Sequence, residues 1–223
     1  METTAIIEEI RSWQGVFLTA LRSERLTPLQ PGQYALIYST LALAVQGNVF
    51  ASEKGRVVLA VKTLPAWQPG ETVRVRLPLG KGFQLPPAAR QVALLALQPD
   101  GSALYPLLRP ALRQGAAVVW CGRQPPLDLP AEVEIAPIEE TGRILAWADY
   151  AAACIEIGGE ASLPLLFGFR PQERHNPLIE VHLQGDFICG GIAACGVCAV
   201  HTRQGWVFAC QDGPVFNYHQ LEL

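Results

Sequence analysis

Four cysteines near the C-terminus, Cys189, Cys195, Cys198 and Cys210, restrict what this chain can fold into more than any other feature. The stretch Cys189-Gly-Gly-Ile-Ala-Ala-Cys195-Gly-Val-Cys198 puts three thiols within ten residues, and Cys210 follows after an eleven-residue gap. A loop this small in its side chains can wrap a metal centre with backbone N–H groups turned to the sulfurs. Glycine lets it adopt the positive φ angles that bulky residues resist. A fourth thiol then closes the site from a returning strand. Zinc normally takes two C-x2-C knuckles, and only one such pair is present here. The spacing lies nearer the plant-type C-x4-C-x2-C…C of 2Fe–2S proteins, with one extra residue in the first gap. A 2Fe–2S cluster on Cys189, Cys195, Cys198 and Cys210 is therefore expected, with zinc or unligated thiols as the alternatives. Cys121 and Cys154 have no partner at ligand spacing and read as ordinary buried thiols.

The remaining composition narrows the setting. Half of the 223 residues are hydrophobic and 17% are charged, the profile of a compact globular chain with a sizeable core. A net charge of -3 supplies no basic field for nucleic acid. Met1 to Trp13 lacks the basic and apolar regions of a secretory signal, and no apolar run approaches the roughly 18 residues of a membrane helix. A cytoplasmic protein with no membrane contact is expected, in which six cysteines argue for metal ligation over disulfides.

Upstream, short strands alternate with turns: Ala5 to Ile10, Val16 to Ala20, Gln33 to Ile37, Arg56 to Val61 and Thr72 to Leu77. They fit an antiparallel barrel, and Val73, Val75 and Leu77 alternating with Arg74 and Arg76 mark a strand with one wet face. Pro31-Gly32 and Pro69-Gly70 read as turns. After Pro86-Pro87 the apolar runs Val92 to Leu97 and Ala116 to Cys121 flank a helical spacing from Leu104 to Arg113, a β-α-β pattern over a buried parallel sheet. Val133 to Ala136 and Pro164 to Phe169 are expected strands, with a helix over Arg143 to Ile155. Arg170 to Pro177 reads as a linker. The fold expected is multidomain α+β: a barrel over 1–88, a nucleotide-binding-like α/β domain over 89–170 and a cluster tail over 171–223.

Other features carry weaker signals. Pro78-Leu-Gly-Lys-Gly-Phe83 has the look of a phosphate or flavin loop, or of an ordinary turn. His182 and His201 flank the cysteine loop and read as solvent-facing strand residues more than as Rieske-type ligands. Trp206 and Phe208 are expected to shield the centre from water. Leu104, Leu107, Leu108 and Leu112 make a core stripe.

The stretch Ile188 to Val200, followed by Val207-Phe-Ala-Cys-Gln-Asp-Gly-Pro-Val-Phe216, resembles the C-terminal cluster region of the electron-transfer subunit of NAD-linked dihydroorotate dehydrogenase. There a C-x4-C-x2-C loop precedes a cysteine followed by Asp-Gly-Pro-Val-Phe. Pro31-Gly-Gln-Tyr34 is similar to that family's Pro-Gly-Gln-Phe, and Gly70 to Phe83 to its Gly-Asp…Gly-Pro-Leu-Gly-Asn-Gly-Phe. The resemblance implies a ferredoxin-reductase-like fold. It also implies a relay of electrons from a flavin-mononucleotide catalytic subunit through the 2Fe–2S centre to FAD and NAD, in pyrimidine biosynthesis.

Two pieces of that relay differ. The family holds FAD with an Arg-x-Tyr/Leu/Ile-Ser type segment, whereas no arginine lies between Gln33 and Arg56 and the nearest following cation is Lys54. The family's Gly-rich turn is replaced by Leu97-Gln-Pro-Asp-Gly-Ser-Ala-Leu, where Asp100 would repel a phosphate, and its Cys-Gly-Pro has no counterpart because Cys154 precedes Ile155-Glu156. FAD is allowed by the resemblance but its motif is degraded, and NAD binding is not expected. The chain is expected to be an electron-transfer subunit of an oxidoreductase, without substrate chemistry of its own, in a hetero-oligomer with a flavoprotein dehydrogenase. The alternative is a non-redox scaffold or regulatory subunit that keeps a structural cluster or zinc site.

Overall fold

A computed structural model describes residues 2–38, 44–173, 177–187 and 189–223. Six strands close an antiparallel barrel: β1 (Glu2–Trp13), β2 (Val16–Arg22), β3 (Tyr34–Tyr38), β4 (Val45–Glu53), β5 (Arg56–Val61) and β6 (Thr72–Leu79), in the order β1-β2-β5-β4-β3-β6. Inward residues such as Ile7, Leu21, Ile37, Leu59, Val73 and Val75 fill it at every second position, as the pleat requires. β4 is the strand the sequence pattern does not announce. Its polar Gln46, Asn48, Ser52 and Glu53 break the alternation, and part of the preceding segment, 39–43, lies outside the described residues.

A six-stranded sheet packs beside the barrel. Its strands are β7 (Gln91–Ala96), β8 (Ala117–Gly122), β9 (Val133–Ala136), β10 (Tyr150–Glu156), β11 (Leu178–Gln184) and β14 (Val215–Asn217), ordered β14-β11-β10-β7-β8-β9. All neighbours are parallel except β14, which runs antiparallel to β11. Ala93, Leu95, Val119, Ala151, Ala153 and Val181 bury one face; Val92, Leu94, Ala96, Val118, Ala152 and Cys154 bury the other. Burial on both faces explains the unbroken apolar runs. Helix α1 (Leu108–Arg113) follows a 3-10 turn at Tyr105–Leu107, with Leu104, Leu107 and Leu108 in the core as the stripe predicts.

Two expected elements are corrected. Arg143 to Ile155 is not one helix: α2 (Thr141–Trp147) ends and β10 begins at Tyr150. Pro164 to Phe169 is not a strand but α3 (Leu163–Phe167), with Pro164 in its first turn and Gly168 at φ 82° ending it. The sheet also takes in residues beyond the expected boundary at 170, because β11 and β14 both belong to it. Of the expected linker, 174–176 lie outside the described residues. No helix among the described residues is long and apolar enough to cross a membrane.

Candidate metal centre

The tail is an excursion between β11 and β14. From β11 the chain runs to Cys189, winds through the loop to Cys198, turns back along a hairpin of β12 (Ala199–Thr202) and β13 (Gly205–Phe208), and reaches Cys210 in the single turn α4 (Ala209–Asp212). Pairing of Ala199 with Phe208 sets the third and fourth cysteines side by side, and the Ala209 N–H donates to the Cys198 carbonyl at 2.9 Å. Asp212 accepts the Phe208 N–H at 3.0 Å, tying down the turn that carries Cys210.

Gly190, Gly191, Ala193 and Gly196 all have positive φ, at 71°, 72°, 57° and 74°. This left-handed winding turns peptide N–H groups inward. At Cys189 burial works against ionisation, but N–H donors from Ala194, Ile192 and Cys195 and a hydrogen bond with the Cys195 side chain outweigh it and bring the thiol down to about 6. Burial pushes Cys210 up to about 12, helped by its hydrogen bond with Cys198 and by the charge of Cys198, while the Ala193 N–H opposes. The four thiols thus interact in two pairs, Cys189 with Cys195 and Cys198 with Cys210, among amides of the same loop.

That donor set fits a 2Fe–2S cluster, which takes four thiolates, two to each iron, and is stabilised by N–H groups directed at sulfur. Among the described residues no group of three or more His, Cys, Asp or Glu closes around a single ion. Two irons and their bridging sulfides do not require all four sulfurs in one tetrahedron.

Cys198 and Cys210 are 3% and 1% exposed, whereas Cys195 is exposed, as are Ile192 and Val197 in the same loop and Trp206 on the hairpin, at 54%, 60% and 69%. Trp206 therefore does not shield the centre within this chain. It stands out from the hairpin with its ring 4.8 Å from that of His201. His182, expected on a wet face, is 1% exposed and packs on Phe83; burial lowers it to about 4 and keeps it neutral. His201 is exposed, 3.8 Å from Glu222. Neither histidine joins the thiols. Cys121 and Cys154 are fully buried in the sheet, where their thiols donate to the Pro137 and Asp100 carbonyls.

The barrel contributes two groups that sequence pattern alone does not single out. The Tyr34 hydroxyl donates to the Cys210 carbonyl at 2.8 Å, and Arg76 Nη1 donates to the Gly190 carbonyl at 3.1 Å.

The expected nucleotide features have other uses. A cleft of about 460 Å³ between the barrel and the start of the tail is lined by Leu36, Gln46, Asn48, Lys62, Asp186 and Phe187. Gln46 accepts the Phe187 N–H, and Lys62 lies 3.6 Å from Glu156. Among the described lining residues Lys62 is the one cation and Asp186 the one anion, a poor match to the diphosphate of FAD. Gly80 and Gly82 of the glycine-lysine segment pack against Pro214 and Pro31 as a structural turn. In the turn after β7, a Cβ on Gly101 would lie 2.7 Å from Trp120, so the indole fills the approach a phosphate would need. Asp100 there accepts the Ser102 N–H and the Gln184 amide.

Comparison with known proteins agrees with this architecture. Residues 187–222 match the family model of the iron-sulfur cluster binding domain of dihydroorotate dehydrogenase B. A Thermotoga petrophila protein, putative dihydroorotate dehydrogenase B (NAD(+)), electron transfer subunit, is 26% identical over 159 residues, which cover 68% of this chain and 64% of that relative. Sulfhydrogenase 1 subunit gamma of Pyrococcus furiosus is 40% identical over 55 residues, 25% of this chain and 17% of that one. The chain thus spans less than two-thirds of the length of either curated relative. A solved NADH-dependent reduced ferredoxin-NADP oxidoreductase superposes with a TM-score of 0.72 at 17% identity, covering 98% of this chain and 89% of that one. The ferredoxin reductase of carbazole 1,9a-dioxygenase gives 0.59 at 13%, over 75% and 63%. The chain thus has the fold of ferredoxin reductases, and its residues 187–222 are similar to the iron–sulfur cluster binding domain of dihydroorotate dehydrogenase B.

Proposed function

We propose that this chain is the electron-transfer subunit of a flavoprotein dehydrogenase, with a 2Fe–2S cluster on Cys189, Cys195, Cys198 and Cys210. The observation that carries the reading is the pairing of these four thiols within one amide-lined loop and its returning hairpin. The Thermotoga relative supports dihydroorotate as the substrate of the partner subunit, in cytoplasmic pyrimidine biosynthesis. When bound, the cluster supplies storage for one electron. The chain's own residues hold it, exclude water from Cys198 and Cys210, and present the Cys195 edge to a partner through an apolar rim. Oxidation of dihydroorotate releases two electrons and two protons. The protons would leave at the flavoprotein, and the two electrons would pass one at a time through this subunit to an external one-electron acceptor.

Anaerobically purified protein should contain iron and acid-labile sulfide with visible absorbance, and Cys198→Ser should bleach it and abolish the EPR signal of the reduced state. Stoichiometric zinc without iron would overturn the assignment in favour of a structural site. Flavin and pyridine nucleotide give a separate expectation. With Lys62 paired and Trp120 against Gly101, FAD should be recovered well below stoichiometry, and NADH should not reduce the isolated chain. Tight stoichiometric FAD would show that other groups replace the arginine.

A further inference from the structure

Tyr34 and Arg76 lie on neighbouring barrel strands, β3 and β6, and both reach the tail at residues that carry or adjoin proposed ligands. The two arginines of β6 part ways. Arg74 pairs with Glu2 at 2.8 Å and lies over the Tyr38 ring. Arg76 is half-buried and directs its guanidinium to the carbonyl of Gly190, the residue after Cys189. Tyr34 is fully buried, and its hydroxyl experiences the thiols of Cys210, Cys198 and Cys189 and, with opposite sign, the charge of Arg76. One tyrosine, one arginine and the thiol cluster therefore share a single electrostatic neighbourhood. A Cβ on Gly191 would come 2.5 Å from Tyr34 Oη, so the loop is seated directly on the hydroxyl.

Each of these bonds holds a peptide plane. Because the peptide unit is rigid, fixing the Gly190 and Cys210 carbonyls toward the barrel turns the N–H groups of Gly191 and Gln211 away from it. The guanidinium is also a permanent charge. A reduced cluster carries one more negative charge than an oxidised one, so a cation held nearby favours reduction.

We propose that Arg76 is a positioning residue that sets the reduction potential of the cluster, and that Tyr34 clamps the closing cysteine's backbone from the same barrel edge. The inference rests on the ligand assignment above.

The test is spectroelectrochemical titration of the full chain with its cluster, comparing the parent with Arg76→Gln, Arg76→Lys and Tyr34→Phe. Loss of a half-buried charge should lower the ratio of reduced to oxidised cluster about three- to tenfold at fixed potential, tenfold being about 59 mV for a one-electron couple. Arg76→Lys should restore the ratio to within about twofold, since it keeps the charge. Tyr34→Phe should leave the ratio within about twofold but speed chelator-driven loss of absorbance several-fold, since it removes a hydrogen bond and no charge. An unchanged ratio in a fully loaded Arg76→Gln, or equal shifts in Gln and Lys variants, overturns the role of the charge. Unchanged chelator sensitivity in Tyr34→Phe overturns the clamp. If Arg76→Gln holds no cluster, Arg76→Met takes its place in the same titration, and loss of the cluster in both neutral variants overturns a role in the potential in favour of one in assembly. A parent that assembles no cluster overturns the ligand assignment instead.

Discussion

At Gly191 and Gly196 the same backbone conformation meets two different surroundings. Both have φ above 70°, where an L-residue costs roughly 1–2 kcal/mol. A Cβ on Gly196 meets nothing within 4 Å, but one on Gly191 runs into Tyr34. Gly196→Ala should therefore keep the visible spectrum and lose only about 1–2 kcal/mol in a denaturant titration. Gly191→Ala should lose most of its cluster absorbance, because the loop must lift from the hydroxyl. Equal spectra for the two variants would show that the seat on Tyr34 is unimportant. The arginine facing this loop was hidden in the sequence for a physical reason. Alternation assigns Arg76 to the outer face of β6, and an outer face is wet only where nothing from elsewhere in the chain covers it. The cysteines were legible because thiols at ligand spacing have few other uses, whereas an arginine on a strand has many.

Strand β10 shows how element type can be misread while the fold class is read correctly. Tyr150-Ala-Ala-Ala-Cys-Ile-Glu156 has the residues of a good helix, since alanine leads the helix scale and is poor in strands. Here position in the sheet overrides propensity. The strand lies between β7 and β11 and is covered on both faces, so short side chains let the neighbouring layers approach. Ala152→Leu should accordingly destabilise by about 1–3 kcal/mol through overpacking, read as a lower denaturation midpoint. A neutral result would mean that the layer has room. Helix α3 is the converse, an apolar Leu-Leu-Phe run that resembles a strand until its proline start and glycine end are given weight. Barrel strands with clean alternation, such as β6, and the buried runs β7 and β8 were legible outright. β4 was not, because its polar positions serve the cleft and the tail instead of the barrel core.

For the whole molecule, three of the apolar residues left in the open, Ile192, Val197 and Trp206, belong to the tail, besides Ile6, Leu127, Ile135 and Leu165 elsewhere. Ile192 and Val197 lie in the loop of the exposed Cys195, Trp206 stands out from the returning hairpin, and a large exposed aromatic is a usual anchor of a protein interface. Trp206 belongs to the hairpin and not to the cysteine loop, so Trp206→Ala, which adds no charge, should leave the spectrum and potential intact. The affinity for the proposed flavoprotein partner should fall at least about thirtyfold, in line with loss of roughly 2 kcal/mol at an interface hot spot. Calorimetric titration of the two subunits measures it, and undiminished affinity would move the interface elsewhere on the molecule. The hairpin pairing that sets Cys198 beside Cys210 would thus also carry the anchor, giving the partner a fixed distance to the centre.

The pairing of β11 with β14, His182 opposite Val215 and Val181 opposite Phe216, has a consequence for modularity. The polypeptide leaves the sheet and re-enters it at adjacent positions, so the region bearing the cysteines is an inserted cassette with both of its stems welded together. The entropy of bringing those stems together is met by the sheet's own ladder, not by the metal. Loss of iron therefore has a local outcome: the cassette slackens while the reductase-like body persists. In evolutionary terms such a cassette travels only with its seat, since a host must offer the two stems together with the barrel groups and core residues on which the loop rests.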